Sequence, residues 1–290
     1  MRIAVTGADG QLGRELLLKS KTVDGSKFSF TDSYNLDITS KPAVSDYIRM
    51  FKPDWIVNCA GYTAVDNAEN DEANARKVNV EGVGNIVHAI EGTSCRLIHI
   101  STDYVFDGSA STPYSEEDAT NPLSVYGISK RDGENEALKS NGAIVLRTSW
   151  LYSLWGKNFP STILRLAKER PELKVVNDQT GSPTYAGHLA DAILRIVSCG
   201  GGSSSPVRSE IFHVTNSGSC SWYTFAKEIV ELAGEDVLVS PVTSEEYKQL
   251  ARRPKYSVLD CSKIESEMGI RLPHWKDALG EWYKGYGLIS

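Results

Sequence analysis

The chain has 290 residues, a net charge of -6 and an apolar fraction of 41%. This length supports one large domain or two smaller ones, and the composition is ordinary for a globular protein. The acidic balance argues against nucleic acid as a partner. No apolar run is long enough to span a membrane, and the N-terminal apolar stretch is too short for a signal peptide, so we expect no membrane association.

Five widely spaced cysteines without a CxxC pair predict reduced thiols in a cytoplasmic protein. Five histidines without an HxH or HExxH pattern predict no metal site.

Short apolar runs alternate with helical patterns through the first half of the chain. The predicted strands are 3–5, 28–30, 55–57, 96–100 and 143–146. The predicted helices between them are 12–18, 43–51, 73–90 and 126–138. This alternation predicts an α/β fold with a Rossmann-type, doubly wound parallel sheet, and strands that are nearly all apolar fit a sheet covered on both faces.

The second half is less regular. The predicted elements are a helix at 159–168, a strand at 174–176, a helix at 185–197, a flexible loop at 200–206, a strand at 211–214 and a helix at 222–233. We therefore predict a first domain over residues 1–152 and a smaller, irregular domain over 153–290. Some segments of the second are expected to return to the first.

Three glycines follow the first predicted strand in the spacing GxxGxxG. Gly7 permits a tight strand-to-helix turn, and Gly10 lets the backbone approach a pyrophosphate. Gly13 lets the helix pack closely. Gln11 and Leu12 lie in the same turn, where the phosphates would meet the free N–H groups of the helix N-terminus. The context between strand and helix predicts a dinucleotide-binding turn.

An acid after the second strand commonly binds the adenosine ribose, and Asp32 holds that position. No Lys or Arg lies between Asp32 and Lys41, which favours NADH, or the use of both NADH and NADPH. Asp37 is either an adenine contact or a turn acid. Ala60 and Gly61 end a strand with small residues against which a cofactor can lie.

Tyr126 and Lys130 are spaced to share one face of a helix, so the ammonium can approach the phenol and lower its pKa. Thr102 ends the preceding strand and can hold a carbonyl group that receives the proton. A second pair, Tyr223 and Lys227, has the same spacing but no strand end before it. We therefore predict carbonyl reduction at Tyr126.

These residues together resemble an extended short-chain dehydrogenase/reductase over the whole chain. Five narrower blocks resemble the dTDP-4-dehydrorhamnose reductase family: 10–13, 101–108, 147–152, 177–184 and 252–254. The resemblance implies that NADPH or NADH delivers hydride to C4 of dTDP-6-deoxy-L-lyxo-4-hexulose, giving dTDP-L-rhamnose.

The resemblance also implies residue roles. Tyr126 would donate the proton, Lys130 would bind the nicotinamide ribose and lower the pKa of Tyr126, and Thr102 would hydrogen-bond the sugar carbonyl. Trp150 would lie against the sugar. Arg253 is a candidate for the substrate pyrophosphate or a surface cation.

Three further residues complete the expected substrate contacts. Asp103 and Val105 follow Thr102 in its motif. Asn158 would contact the nucleotide or pack a loop, and both interpretations are open.

Two positions differ from those of related enzymes, and they narrow the predicted reaction and the predicted assembly. Related 4,6-dehydratases carry a Glu where this chain has Tyr104, which disfavours dehydration, whereas an epimerase or a reductase of another nucleotide sugar stays possible. Some family members dimerise around a divalent ion through an acid such as Glu15 and a second acid in a later helix. That helix here reads Tyr185-Ala186-Gly187-His188-Leu189, so we expect no metal-linked dimer, although a homodimer is possible. A non-catalytic regulatory subunit, resembling that of methionine adenosyltransferase, is the alternative from another class.

Overall fold

The computed structural model describes residues 1–200 and 208–288, so residues 201–206 of the predicted loop lie outside the described residues. The strands are β1 (Arg2–Thr6), β2 (Lys27–Thr31), β3 (Trp55–Asn58), β4 (Arg96–Thr102), β5 (Ile144–Thr148), β6 (Leu151–Tyr152), β7 (Glu172–Val176), β8 (Thr180–Gly181), β9 (Thr184–Tyr185), β10 (Glu210–His213), β11 (Cys220–Ser221) and β12 (Leu238–Val242). The α-helices are α1 (Gln11–Lys19), α2 (Lys41–Phe51), α3 (Val65–Ala68), α4 (Glu72–Arg76), α5 (Gly82–Ile90), α6 (Val125–Ala137), α7 (Phe159–Glu169), α8 (Ala186–Gly200), α9 (Trp222–Ala233), α10 (Ser244–Tyr247), α11 (Ser262–Met268) and α12 (Trp275–Tyr286).

Six parallel strands form the central sheet in the order β2-β1-β3-β4-β5-β10. The predicted doubly wound parallel sheet is therefore confirmed. The strand order reverses between β1 and β3, and this reversal opens a crevice at the carboxyl ends of the strands. The sixth strand, β10, comes from the second half of the chain and pairs with β5.

Helices cover both faces of the sheet, because apolar residues recur at helical spacing along them. Leu12 and Leu16 of α1 pack with Ile193 of α8 on one face. Val44 and Ile48 of α2 pack with α5 on the other.

A second, smaller core lies outside the sheet. Tyr152, Leu164, Phe225, Trp275 and Trp282 are buried there together. Helices α7, α9 and α12 supply most of this core, and the parallel pair β7–β12 closes one side.

The helix predicted over 73–90 is interrupted. A π-helical turn, Lys77–Glu81, separates α4 from α5 and carries the buried Asn79. The Asn79 carboxamide accepts from the Tyr62 N–H at 2.8 Å, and its amide donates to the Tyr62 carbonyl at 3.1 Å and to the Ser129 hydroxyl at 2.9 Å. The irregular turn thus fixes the loop after β3 against α6. In the described part of the chain, no helix is both long and apolar enough to cross a membrane.

Candidate active site

The turn between β1 and α1 has no room for a side chain at two of its glycines. Gly7 has a φ of +67°, and a Cβ there would lie 2.6 Å from the Ala60 nitrogen. A Cβ on Gly13 would lie 2.6 Å from the Cα of Ala8. Gly10 precedes α1 in an extended conformation, without a side chain over the first turn. The turn therefore presents free N–H groups of a helix N-terminus, which is a suitable cradle for a diphosphate.

A cavity of about 550 Å³, here called the strand-end cleft, begins at this turn. Its lining includes Gly7, Gly10, Gln11, Leu12, Gly13, Cys59, Ala60, Gly61, Ile100, Ser101, Thr102, Tyr104, Tyr126, Lys130, Thr148, Ser149 and Lys157. The cleft thus brings the predicted glycine turn, the small residues after β3 and the predicted catalytic residues into one space. Its volume is in the range of small-molecule sites.

Helix α6 places Tyr126 at its first turn. The Ser124 hydroxyl caps this helix by accepting from the Gly127 N–H at 3.1 Å, and Glu69 accepts from the Val125 N–H at 2.9 Å. Tyr126 and Thr102 both line the cleft, and Thr102 lies close enough to affect the pKa of the Tyr126 phenol. Lys130 lies one turn further along and donates to the Ile100 carbonyl at 2.6 Å.

The pKa values of Tyr126 and Lys130 correct one prediction. Burial raises the pKa of Tyr126 to about 12, with the Thr102 hydroxyl opposing it. Burial also lowers the pKa of Lys130 to about 8. The prediction that Lys130 lowers the tyrosine pKa is wrong for the protein alone, because burial dominates and the ammonium binds the Ile100 carbonyl. The phenol is consequently protonated at neutral pH and remains a proton donor.

The second tyrosine–lysine pair serves packing. The Lys227 ammonium lies 5.7 Å from the centre of the Tyr223 ring, on α9 of the smaller core. The preference for Tyr126 over Tyr223 therefore agrees with the geometry.

A second cavity of about 620 Å³, here called the aromatic cavity, adjoins the strand-end cleft at Tyr104. Phe159, Gln179, Trp222 and Arg253 also line it. The Tyr104 ring meets the Tyr126 ring edge-on, with centroids 5.7 Å apart. Tyr104 thus stands between the two cavities, and it provides no carboxylate at the position where dehydratases have one.

The structure places Trp150 beside this cavity. Its φ is +46°, and its indole stacks on Trp222 with ring centroids 3.5 Å apart. Gly181 packs on the same indole, since a Cβ there would lie 2.5 Å from its Cε2 atom. Contact between Trp150 and a sugar stays a prediction.

Two expected substrate contacts are corrected, and a third stays open. Val105 is fully buried in a core cluster with Phe106, so its side chain faces away from both cavities. Asp103 is buried behind Thr102 and accepts from its hydroxyl at 3.1 Å. Asn158 caps α7, accepting from the Ser161 N–H at 3.0 Å and donating to the Ser153 carbonyl at 2.8 Å. The cap supports the loop-packing interpretation of Asn158, and its contact with a nucleotide stays a prediction.

The acids after β2 are turn residues. Asp32 accepts from the Tyr34 and Asn35 N–H groups at 2.9 and 3.2 Å. Asp32 directly follows Thr31, whose carbonyl accepts a hydrogen bond from the Ala8 N–H of the glycine turn at 2.9 Å. Asp32 therefore lies next to the glycine turn, where it can still contact the adenosine ribose of a bound cofactor. Asp37 is exposed and accepts from the Thr39 N–H at 2.9 Å, which supports the turn interpretation.

The region expected to hold a metal in some relatives has a different arrangement here. Glu15 is buried, and burial raises the pKa of its carboxyl group. His188 Nε2 lies 2.9 Å from a Glu281 carboxylate oxygen. Within residues 1–200 and 208–288, no group of three or more His, Cys, Asp and Glu side chains is arranged to hold a metal ion.

Cys59, Ser101 and Lys157 also line the strand-end cleft. Cys59 and Ser101 stand in motifs of the sequence but were assigned no role in the site, and Lys157 was missed because its only sequence signal is its place in a loop. The ion pair between Glu134 and Arg147 behind the cleft was also missed, although Glu134 follows Lys130 at the same helical spacing as Lys130 follows Tyr126.

A glycine-turn cradle that leads to a Tyr, Lys and Thr group at parallel strand ends defines an NAD(P)-dependent oxidoreductase of the short-chain dehydrogenase/reductase type. The family described as RmlD substrate binding domain matches residues 1–287. A dTDP-4-dehydrorhamnose reductase of Sinorhizobium fredii (strain NBRC 101917 / NGR234) is 42% identical over 96% of this chain and 95% of its own. The chain belongs to the dTDP-4-dehydrorhamnose reductase family.

Solved structures agree. A dTDP-4-dehydrorhamnose reductase of Clostridium acetobutylicum ATCC 824 superposes with a TM-score of 0.93 at 41% identity, covering 99% of this chain and 100% of that one. The Bacillus anthracis str. Ames enzyme, solved in complex with NADP, has a TM-score of 0.91 at 36% identity and covers 98% of this chain and 99% of its own.

Proposed function

We propose that this protein reduces the C4 keto group of dTDP-6-deoxy-L-lyxo-4-hexulose to give dTDP-L-rhamnose, with NADPH or NADH as the reductant. The observation that carries the proposal is the convergence of Tyr126, Thr102 and Lys130 in one cleft, beside the glycine-turn cradle. The relatives' names supply the substrate. The absence of a carboxylate at Tyr104 supports reduction over dehydration.

The residues have distinct tasks. Gly7, Gly10 and Gly13 leave room for the cofactor diphosphate at the start of α1. When bound, the nicotinamide supplies the hydride. Thr102 orients the sugar carbonyl, and Tyr126 donates its proton to the carbonyl oxygen as negative charge develops there. The Lys130 ammonium binds the nicotinamide ribose.

The substrate extends from this point into the aromatic cavity. Trp150 and Trp222 offer apolar surface, and Arg253 supplies positive charge for the diphosphate. We accordingly propose residues 1–152 as the cofactor part and residues 153–290 as the substrate part. A cytoplasmic location is supported by five free cysteines. A homodimer is proposed with no particular interface, and a sedimentation measurement tests it.

The test is oxidation of NADPH or NADH, followed by absorbance, with the dTDP-4-keto sugar as substrate. Tyr126→Phe is expected to lower kcat by about 10² to 10⁴ while cofactor affinity is retained. Tyr223→Phe is the matched control, since it makes the same change in the pair on α9, and it should retain full activity. Substantial turnover by Tyr126→Phe would refute the acid assignment. Wild-type protein that binds cofactor but reduces no nucleotide keto sugar would favour the regulatory subunit.

A further inference from the structure

A buried ion pair lies behind the strand-end cleft. Arg147 of β5 donates through Nε and Nη2 to the two carboxylate oxygens of Glu134 on α6, both at 2.8 Å. Only 1% of Glu134 and 3% of Arg147 is exposed. The bidentate geometry fixes α6 to the sheet at this point.

The pair reaches the cleft through Ser101. Its hydroxyl donates to Glu134 Oε1 at 2.5 Å, and Ser101 lines the cleft directly before Thr102. Lys130 lies one helical turn before Glu134 and donates to the Ile100 carbonyl at 2.6 Å. Lys130 and Glu134 therefore hold consecutive residues at the end of β4 from one face of α6.

Arg147 also contacts His213, and this histidine is neutral. His213 lies with Nε2 at 3.4 Å from Arg147 Nη1 and Nδ1 at 3.1 Å from the Tyr114 carbonyl. Burial and the adjacent guanidinium lower the pKa of His213 to about 3, so it is uncharged. Its Nδ1–H therefore donates to Tyr114, and Nε2 accepts from Arg147.

Glu134 lies one helical turn beyond Lys130 on the same face of α6. Burial lowers the pKa of Lys130, and the Glu134 carboxylate opposes this. Burial raises the pKa of Cys59 of the β3 loop to about 12, so that thiol is neutral. His99 of β4 has a pKa far below its usual range because of burial and Lys130, and Tyr126 on α6 is a neutral phenol.

Stability alone gives a poor reason for this network, because apolar residues of similar volume often replace a buried ion pair at no cost. We propose that Glu134 is a positioning residue, which supplies the fixed negative charge that balances the Lys130 ammonium and holds the Ser101–Thr102 end of β4 in place. This rests on the proposed contact between Lys130 and the nicotinamide ribose.

The decisive readout is cofactor affinity against pH, because it requires no substrate. In the wild type, NADPH affinity should fall above about pH 8 as Lys130 loses its proton. The double variant Glu134→Gln/Arg147→Met removes both charges and leaves no unpaired ion, and Gln can still accept from Ser101. We expect this fall to begin at a lower pH, by less than one pH unit, because the loss of the Arg147 cation partly offsets the loss of the carboxylate. Glu134→Asp, which withdraws the carboxylate but keeps the pair, should shift it in the same direction by less, and it provides the test if the double variant does not fold.

The matched control is Glu136→Gln on the same helix, whose carboxylate pairs with Lys139 at 2.6 Å near the surface. Its pH profile should coincide with that of the wild type. Profiles for the Glu134 variants that also coincide with the wild type would overturn the proposal and leave Glu134 a purely structural residue. Failure of the proposed function is separable, since it appears as absent keto-sugar reduction with cofactor binding intact.

Discussion

Arg253 donates to both carboxylate oxygens of Asp66, through Nη1 at 3.0 Å and Nη2 at 2.6 Å. The same carboxylate accepts from the Ala251 N–H at 3.0 Å. Asp66 therefore ties the loop that carries Arg253 to α3, whose Val65 lines the strand-end cleft. This ion pair joins two residues that are 187 positions apart in the sequence, and it connects the loop at the aromatic cavity to the helix at the strand-end cleft.

Asp66→Asn tests whether this tie prepares Arg253 for the substrate. The amide lacks the charge that holds the guanidinium fork, so we expect KM for the nucleotide sugar to rise about tenfold with kcat and NADPH affinity little changed. Asp46→Asn is the control, because it makes the same change in an exposed pair with Arg49 at 2.8 Å. A lower KM in Asp66→Asn would show instead that Asp66 competes with the substrate for Arg253.

Asp103 gives a pH-dependent prediction for stability. Burial raises the pKa of its carboxyl group from 3.8 to about 7. Between those values the folded state holds a proton that the unfolded state has lost, so this group makes the protein less stable as pH rises through that window. Asn does not titrate. Relative to the wild type, Asp103→Asn should therefore gain about 3 kcal/mol in free energy of unfolding between pH 5 and pH 8. Urea unfolding of both proteins at each pH measures this, and a constant difference would contradict it.

Gly181→Ala should disturb the Trp150–Trp222 stack. The new methyl group would lie 2.5 Å from the Trp150 indole, so the stack must move, at a cost of about 1 to 3 kcal/mol. We expect a lower Tm and weaker substrate binding. Gly280→Ala in α12 is the control, since nothing lies within 4 Å of its added Cβ. It should leave Tm unchanged or raise it. Equal melting temperatures for the two variants would mean that the stack tolerates the methyl group.

Asp32 should influence the choice between NADPH and NADH. A carboxylate near the adenosine ribose repels a 2′-phosphate by about 1 kcal/mol in water. Asp32→Asn should therefore raise the NADPH to NADH ratio of kcat/KM about fivefold. Asp37→Asn, at the neighbouring turn acid, should leave the ratio unaltered. An equal loss of kcat/KM with NADPH and with NADH in Asp37→Asn would restore the adenine interpretation of that residue, because both cofactors carry the same adenine.

The strands in the first half of the chain were predictable because strands covered on both faces are short runs of nearly all apolar residues. Glycine spacing and helical periodicity then located the cleft, since strand carboxyl ends converge in a parallel sheet. The second half offered less. Its strands β6, β8, β9 and β11 have two residues each, which is too short for an alternating apolar pattern to be recognised in the sequence.

The errors in the site have a common origin. Val105 stands beside motif residues in sequence, but a tight turn points it into the core. The Asp66–Arg253 and Glu134–Arg147 pairs depend on distant segments meeting in space. Neighbourhood along the chain cannot reveal such contacts.

The return of the chain to its first sheet has a consequence for folding. Helix α8 covers Leu16 of α1, and β10 closes the edge of β5. A fragment that stopped at residue 152 would leave an apolar layer bare and a strand edge open to other molecules, which promotes aggregation. The proposed cofactor and substrate parts are thus interlocked, and we expect them to unfold in one cooperative transition. If the substrate part were exchanged for that of a relative, the contact between β10 and β5 at the edge of the sheet would have to be redesigned as well.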